Sequence, residues 1–134
     1  MDCPVCTNAM ITLELDEVEI DYCTDCGGIW LDAGELEELL GEPAKATQLL
    51  ASFKTDPNCA EKPRKCPICD KKMRKIVVGE SQPTLLIDKC AKGDGLWLDS
   101  GELHDIFDRA QLDQGSRIRN LLADMFGYDK KDLA

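Results

Sequence analysis

The sequence predicts a small α+β fold made of two tandem units, each a β-hairpin followed by a short helix, with additional helices between the units and at the C-terminus. Three observations carry this prediction. Cysteine pairs of the form C-x2-C recur along the 134 residues, short alternating runs lie between them, and the block W-L-D-x-G-E-L occurs twice. Alternation of apolar and polar residues is typical of half-buried strands, and a block repeated at the same offset indicates an internal duplication.

The duplication begins with C3-P-V-C6, which recurs as C66-P-I-C69. Two alternating runs follow each of these pairs and predict a hairpin. The predicted strands comprise residues 11–15 and 18–22 in the first unit, and residues 73–78 and 84–88 in the second. The first connection is the dipeptide Asp16-Glu17, whereas the second, residues 79–83, is longer and predicts a looser turn.

A helix is predicted to start after each hairpin, at D32-A-G-E35 and at D99-S-G-E102. An aspartate at the N-cap accepts a backbone N–H, and the glutamate three residues later reaches back, so both starts have the form of a capping box. The first helix is predicted to stop near residues 41–43. The apolar positions predicted to be buried are Leu36, Leu39 and Leu40 in the first helix, and Leu103, Ile106, Phe107 and Ala110 in the second.

Two further amphipathic stretches predict extra helices. One links the units, with a stripe of Ala46, Leu49, Leu50 and Phe53 that ends before residues 56–58. The other closes the chain, with a stripe of Ile118, Leu121, Leu122, Met125 and Phe126. That stripe either packs on the protein itself or docks a second subunit or partner. The predicted organisation is therefore a first unit at 1–42, a helical linker at 43–62, a second unit at 63–111 and a C-terminal helix at 112–134.

The composition limits how such small units are held together. Units of about 40 residues usually need a metal, disulfides or a partner to remain folded, and the chain contains eight cysteines. The N-terminal residues have neither the basic nor the apolar segment of a secretory signal, and no run is long enough to span a membrane. We therefore expect a cytoplasmic protein, in which cysteine pairs bind metal rather than form disulfides.

The formal net charge of −10 is unevenly distributed. Residues 1–60 carry a net charge of −11 and residues 61–134 a net charge of +1. A zinc site with four anionic ligands adds a further −2, including its metal. The first half is expected to repel nucleic acid phosphates and to favour a basic protein surface.

The first unit has the spacing of a complete metal site. Cys3 and Cys6 form one C-x2-C knuckle, Cys23 and Cys26 form another, and sixteen residues separate the two pairs. Two such knuckles joined by a hairpin direct four thiolates at one centre, which is the tetrahedral arrangement that zinc prefers. Four protein ligands leave no open position, so the expected role of this Zn²⁺ is structural.

The second unit supplies three cysteines, Cys66, Cys69 and Cys90, and has Gly93 where the fourth thiolate would fall. Asp94 lies in a Gly-Asp-Gly turn that can bend its carboxylate toward the metal. The alternatives are His104, which is the only histidine, the linker residue Cys59, and a water molecule that would leave the metal open. We expect two zinc ions in the protein, with the second site completed by Asp94.

The stretch C23-x2-C26-G-G-I-W-L-D-A-G-E-L36, preceded by C3-P-V-C6, resembles the bacterial and archaeal transcription factor IIB-type zinc-finger family. The resemblance covers residues 3–40 and about 66–107. It implies two zinc ribbons, each with a metal site, and the sequence departs from the family pattern at Gly93. The ligands that the resemblance implies are Cys3, Cys6, Cys23 and Cys26 in the first ribbon and Cys66, Cys69 and Cys90 in the second. Some relatives have Cys-x3-His-Gly before the tryptophan, and Asp94 occupies the position of that histidine. Members of this family mostly have no assigned function, so the resemblance implies more about the fold and metal than about the role.

Three functional hypotheses follow. The leading one is a non-catalytic zinc-binding protein whose ribbons present an interaction surface to a protein partner or a second copy of the chain. The second is binding to nucleic acid or the transcription machinery through the seven basic residues within 62–75, although the net charge disfavours it. The third is a hydrolytic or metal-handling role at an open second site. Trp30 and Trp97 are expected to cover the metal sites, and the paired carboxylates of the helix starts are expected to cap rather than catalyse.

Overall fold

The computed structural model describes residues 1–41, 43–55, 64–78, 85–110 and 121. The first ribbon contains β1 (Ile11–Leu15), β2 (Val18–Tyr22), β3 (Ile29–Asp32) and α1 (Glu35–Leu40). The linker contains α2 (Pro43–Ala51) and β4 (Lys54–Thr55). The second ribbon contains β5 (Arg74–Val77), β6 (Leu86–Lys89), β7 (Gly95–Leu98) and α3 (Glu102–Ala110).

The first hairpin has the predicted boundaries and the predicted two-residue turn. Asp16 and Glu17 have φ angles of 50° and 70°. Two consecutive positive φ angles are the signature of a type I′ turn, whose twist matches that of the strands it joins. The second hairpin pairs β5 with β6 in an equivalent register, and its connection at residues 79–84 lies outside the described residues.

Each ribbon contains a third strand that the hairpin prediction did not include, and these strands join the ribbons. The described strands form one antiparallel sheet in the order β1-β2-β3-β7-β6-β5-β4. Strands β3 and β7 pair at its centre, with Trp30 opposite Trp97. These tryptophans occupy equivalent positions in the two ribbons, so the antiparallel pairing gives the molecule an approximate two-fold axis at this point. The ribbons therefore share one sheet.

The two faces of the sheet bury different groups. One face carries the aliphatic core beneath the helices, including Leu31, Leu98 and Phe107, each at most 1% exposed. The buried tryptophans and the buried cysteines form a separate cluster. Because strand residues alternate between faces, Trp30 and Trp97 point away from the aliphatic core and lie with the metal-ligating knuckles.

The repeated W-L-D-x-G-E block forms a hydrogen-bonded clasp at the start of each helix. Trp30 Nε1 donates to Asp32 Oδ1 at 2.8 Å, and the Asp32 backbone N–H donates to Glu35 Oε1 at 2.6 Å. The second ribbon repeats both bonds, through Trp97, Asp99 and Glu102. The predicted hydrogen bond between the glutamate side chain and the backbone N–H three residues earlier is present in both ribbons. The prediction that Asp32 is the N-cap of α1 is wrong, because left-handed Gly34 occupies that position and no side chain caps the helix.

Helices α1 and α3 bury the predicted apolar positions whose side chains the structure describes, whereas Leu49 and Leu50 of α2 are half-buried. Helix α1 ends at Gly41, whose φ of 75° is the left-handed conformation typical of a helix C-terminus. Helix α2 ends at Ala51, earlier than expected, because Lys54 and Thr55 then pair with β5. In the predicted C-terminal helix only Leu121 is described, and this helical residue packs against the aliphatic core.

Candidate metal centres

The first knuckle has the same backbone in both ribbons. Thr7 N–H donates to the Cys3 carbonyl at 2.9 Å, and Asp70 N–H donates to the Cys66 carbonyl at 2.8 Å. Thr7 and Asp70 have φ angles of 65° and 61°, which turn the chain back after the second cysteine of each pair. This tight turn directs both sulfur atoms of a C-x2-C pair toward one point.

The structure gathers the four cysteines of the first ribbon into one cluster, called site 1. The Sγ atoms of Cys3 and Cys6 are 3.8 Å apart, those of Cys3 and Cys26 are 3.6 Å apart, and those of Cys6 and Cys23 are 3.7 Å apart. A tetrahedral zinc with bonds of about 2.3 Å requires sulfur atoms about 3.8 Å apart. A disulfide would require about 2.05 Å. The donor set and its spacing therefore fit zinc.

In the second ribbon the structure gathers Cys66, Cys69, Cys90 and Asp94 into a corresponding cluster, called site 2. The Sγ atoms of Cys69 and Cys90 are 3.7 Å apart. Asp94 Oδ2 lies 3.6 Å from Cys66 Sγ and 3.3 Å from Cys90 Sγ, as the shorter zinc–oxygen bond requires. A carboxylate oxygen thus stands where the fourth sulfur stands in site 1.

The left-handed glycine of the metal-binding loop lies one residue earlier in the second ribbon than in the first, and this changes which residue supplies the fourth ligand. In the first ribbon Gly27 has a φ of 76° and follows Cys26, and its N–H bonds back to the Cys23 carbonyl. In the second ribbon the left-handed residue is Gly93, with a φ of 86°, whose N–H bonds to the Cys90 carbonyl. The turn closes one residue earlier, so the next side chain, Asp94, reaches the metal position.

Among the described residues, His104 is the other proposed fourth ligand, and it is not in site 2. His104 lies on α3 and is only 3% exposed, and it belongs to neither cluster of metal-binding groups among the described residues. Cys59 lies outside the described residues. Because Asp94 supplies a fourth donor atom, the geometry leaves no need for a water ligand.

The pKa values of the cysteine thiols explain why these clusters favour a bound cation. Burial raises the pKa of Cys66 to about 12 and that of Cys6 to about 11. Burial also acts to raise the pKa of Cys23, but N–H groups of Cys26 and Asp25 outweigh it and lower the pKa to about 7. Several thiolates cannot be held together at neutral pH without compensating positive charge, which a divalent metal supplies as the protons leave.

Trp30 and Trp97 pack across the boundary between the two ribbons, an arrangement that the sequence analysis did not predict. A Cβ atom on Gly28 would lie 2.2 Å from Trp97 Cζ2, and one on Gly95 would lie 2.7 Å from Trp30 Cζ2. Each indole therefore packs on a glycine of the other ribbon. The signal in the sequence was a glycine two residues before each tryptophan, which the repeat shows in both copies.

A buried ionic cluster beside Trp97 distinguishes the second ribbon. Asp88 is 2% exposed, and Lys75, which is 8% exposed, places its Nζ 2.7 Å from Asp88 Oδ1. Arg64 lies 3.6 Å from Asp88 and 2.5 Å from Asp99. Burial raises the pKa of Asp88 although both cations oppose it. Arg64 and Lys75 belong to the basic stretch at 62–75, so two of its seven cations are directed inward.

The geometry and the repeated motif agree with a family comparison. Residues 2–42 and 65–109 match a family model described as Transcription factor zinc-finger. The chain belongs to this family. Neither a curated protein nor a solved structure matches it. The two separate matches coincide with the two ribbons, and both clusters fit zinc, so this family member is a tandem zinc-ribbon protein with two structural zinc sites.

None of the helices in the described part of this zinc-ribbon protein is long and apolar enough to cross a membrane.

Proposed function

We propose that the protein is a non-catalytic, zinc-stabilised scaffold that binds a partner protein in a groove between its two ribbons. The groove has a volume of about 790 Å³ and is lined by the first C-x2-C knuckle of each ribbon. Pro4 and Val5 lie on one side, and Cys66 and Pro67 lie on the other. The groove combines residues of both ribbons, and the shared sheet is what brings them together.

The observation that carries this proposal is apolar exposure at the knuckles. Val5 is 43% exposed and Ile68 is 51% exposed, and Met1 beside Val5 is 47% exposed. Val5 and Ile68 occupy equivalent positions, between the cysteines of the two first knuckles. Zinc and the backbone turns hold these apolar tips rigidly, which favours association because little side-chain freedom is lost on binding.

The charge of the first ribbon supports a basic partner. Residues 1–42 contain twelve acidic residues and no lysine or arginine. Asp2 lines the groove, and Glu14 faces Glu19 directly across the first hairpin. Like charges directly opposite one another are unfavourable, and a basic protein surface relieves that repulsion. A partner with apolar anchors flanked by lysine or arginine fits both features.

The closed metal sites support a non-catalytic role. A catalytic zinc keeps one coordination position for water or substrate, whereas each site here has four protein donor atoms. The same closure argues against a hydrolytic or metal-handling role at site 2. Reduced thiols at both sites also suit a cytoplasmic location.

The test is photo-crosslinking inside cells from a benzoyl-phenylalanine placed at Asp2, which is exposed and lines the groove. We expect a discrete protein adduct, lost when Val5, which lines the groove, and Ile68, which follows the lining residue Pro67, are both changed to serine. Glu19, exposed on β2 outside the groove, is the matched control position. An adduct of twice the mass of the chain would identify a second copy as the partner. Identical adducts from both positions, or none from Asp2, would refute the proposal.

A further inference from the structure

Exposed cations of the second ribbon come together on one surface, called here the basic face: Lys65, Lys72, Arg74, Lys89 and Lys92. The sheet register brings these distant residues together. Arg74 on β5 lies directly opposite Lys89 on β6, and Lys65 lies opposite Lys72 in the first knuckle. Lys89 and Lys92 lie outside the basic stretch of the sequence, so only the fold reveals this surface.

The two cation pairs point to the same side of the chain. Lys72 and Arg74 are exposed and alternate with Met73 and Lys75, which are buried. Successive residues of a strand rise by about 3.3 Å, so the two pairs lie about 7 Å apart along the strand. The basic face is therefore a short track of positive charge rather than a single point.

These cations have no carboxylate partner among the described residues. The ion pairs of the second ribbon use Arg64 and Lys75, both directed inward, and none involves the basic face. Asp70 is the exposed acid on the same knuckle. Arg74 and Lys89 meet as like charges directly across the sheet, which costs stability. An anion placed between them removes that cost.

A small pocket lies at the end of the track. Its volume is about 270 Å³, and it is lined by Arg74, Lys89 and Lys92 together with Thr55 and the chain from Cys90 to Gly93. Three cations and a hydroxyl around one cavity are the groups that bind a phosphate oxygen.

The first ribbon excludes a simpler explanation of these charges. The cations could serve only to offset the anionic ligands of site 2. Site 1 has four cysteine ligands, yet the first ribbon contains no lysine or arginine. The positions equivalent to Arg74, Lys89 and Lys92 are Ile11, Tyr22 and Asp25. Since this fold forms a four-ligand site without nearby cations, the basic face serves another purpose.

We propose that the basic face binds the phosphodiester backbone of a nucleic acid strand. The track spaces its charges along one direction, as a polyanion does, and the pocket seats one phosphate group. Since contacts to phosphates carry no base information, the binding is independent of sequence and strongly dependent on salt. The acidic first ribbon directs the strand to the opposite end of the sheet. Of the five cations of the basic face, only Lys65 also lines the groove between the knuckles.

The test is fluorescence anisotropy of a labelled oligothymidine with the zinc-loaded protein. We expect binding at low salt that weakens steeply with added salt. The variant Arg74→Ala/Lys89→Ala should reduce the slope of log affinity against log salt by about 1.4, because each single-strand phosphate contact contributes about 0.7. Lys71→Ala is the matched control, since Lys71 is exposed on the same knuckle but lies outside the basic face, and it should leave the slope unchanged.

Zinc content by native mass spectrometry verifies that the variants are folded. The proposal is overturned if the wild-type protein does not bind at low salt, or if the double variant and Lys71→Ala lose affinity equally. Inorganic phosphate at the same ionic strength as sodium chloride should displace the oligonucleotide no better than the chloride. Full displacement by phosphate would assign the pocket to a single small anion and would also overturn the proposal.

Discussion

The two ribbons build the same four-ligand geometry from loops of equal length that turn at different residues. In the first, Cys26 precedes the left-handed glycine, and in the second, Asp94 follows it. The position of one backbone turn therefore decides which side chain reaches the metal. A comparison of aligned residues alone would show a lost ligand at Gly93, whereas the fold keeps a donor atom at the same place.

The ribbons differ again where their outer strands meet. Thr12 and Asp21 form an exposed hydrogen bond of 3.1 Å in the first ribbon. The equivalent pair in the second is Lys75 and Asp88, a buried ion pair. The first ribbon thus exposes most of its carboxylates, while the second pairs some of its charges internally and presents other cations to solvent. One duplicated scaffold has become acidic at one end and basic at the other.

The largest expected effect comes from removing the ligand that differs between the sites. Asp94→Ala leaves three thiolates in site 2, so we expect native mass spectrometry to find one zinc in this variant and two in the wild-type protein. Asp70→Asn, which removes an exposed negative charge from the same ribbon and tolerates the left-handed backbone there, should retain both. Asp94→Cys should retain both and resist chelators better, since thiolate is a softer ligand for zinc. Two zinc ions in Asp94→Ala, with unchanged resistance to chelators, would show that Asp94 is not a ligand.

The second-largest effect is expected from substitutions where the two ribbons pack against each other. In Gly95→Ala the new Cβ would lie 2.2 Å from the Leu31 carbonyl oxygen, and we expect a loss of about 3 kcal/mol in the free energy of unfolding. Gly28→Ala meets the Trp97 ring rather than backbone, so its cost should be smaller. Urea denaturation of the zinc-loaded proteins measures both. Gly101→Ala is the comparison without a clash, because its Cβ would meet no atom within 4 Å, and its left-handed φ of 86° alone should cost about 1–2 kcal/mol. Equal losses in all three variants would disprove the packing argument.

The outer strand pairs offer a matched comparison. Lys75→Met leaves the buried Asp88 carboxylate with the more distant Arg64 as its only cation among the described residues, and we expect a cost of about 3 kcal/mol in unfolding free energy. Thr12→Val removes an exposed hydrogen bond at the equivalent position, and we expect less than about 1 kcal/mol. Lys75→Met/Asp88→Leu should recover most of the loss, since no charge is then left buried. Failure to recover would show that Lys75 contributes by packing.

The smallest expected effect is a dependence on pH through the two clasps. Burial raises the pKa of Glu35 to about 7 and that of Glu102 to about 8, with the nearby aspartate adding to the rise. Between the ordinary glutamate pKa and these values the native state binds more protons than the unfolded state. Both carboxyls therefore favour folding at low pH, and that contribution is lost as pH rises through about 7 and about 8.

Unfolding of zinc-loaded protein between about pH 6 and pH 8.5 tests this difference. We expect Glu102→Gln to remove more of the alkaline loss of stability than Glu35→Gln, because its carboxyl has the higher pKa. Glutamine keeps an oxygen that can accept the aspartate N–H, so the clasp itself remains. Curves parallel to the wild-type curve would indicate that neither carboxyl titrates in this range.

The sequence alone predicted the features that depend on residues close to one another along the chain. The C-x2-C pairs define knuckles within a few residues, and alternation with a two-residue turn defines the first hairpin. The buried leucines of α1 follow from helical spacing. Asp94 was also accessible, because a glycine on either side of a carboxylate predicts a tight turn next to Cys90. These features are local, so their geometry is nearly decided before the chain folds on itself.

The remaining features required contacts between distant residues. The pairing of β3 with β7, the packing of each indole on a glycine of the other ribbon, and the inward direction of Arg64 and Lys75 all join segments far apart in the sequence. The basic face likewise exists only because β5 and β6 pair in one register. An edge strand can in principle pair with any other edge, so local patterns cannot choose among partners. Burial of the two tryptophans makes that choice in the folded protein.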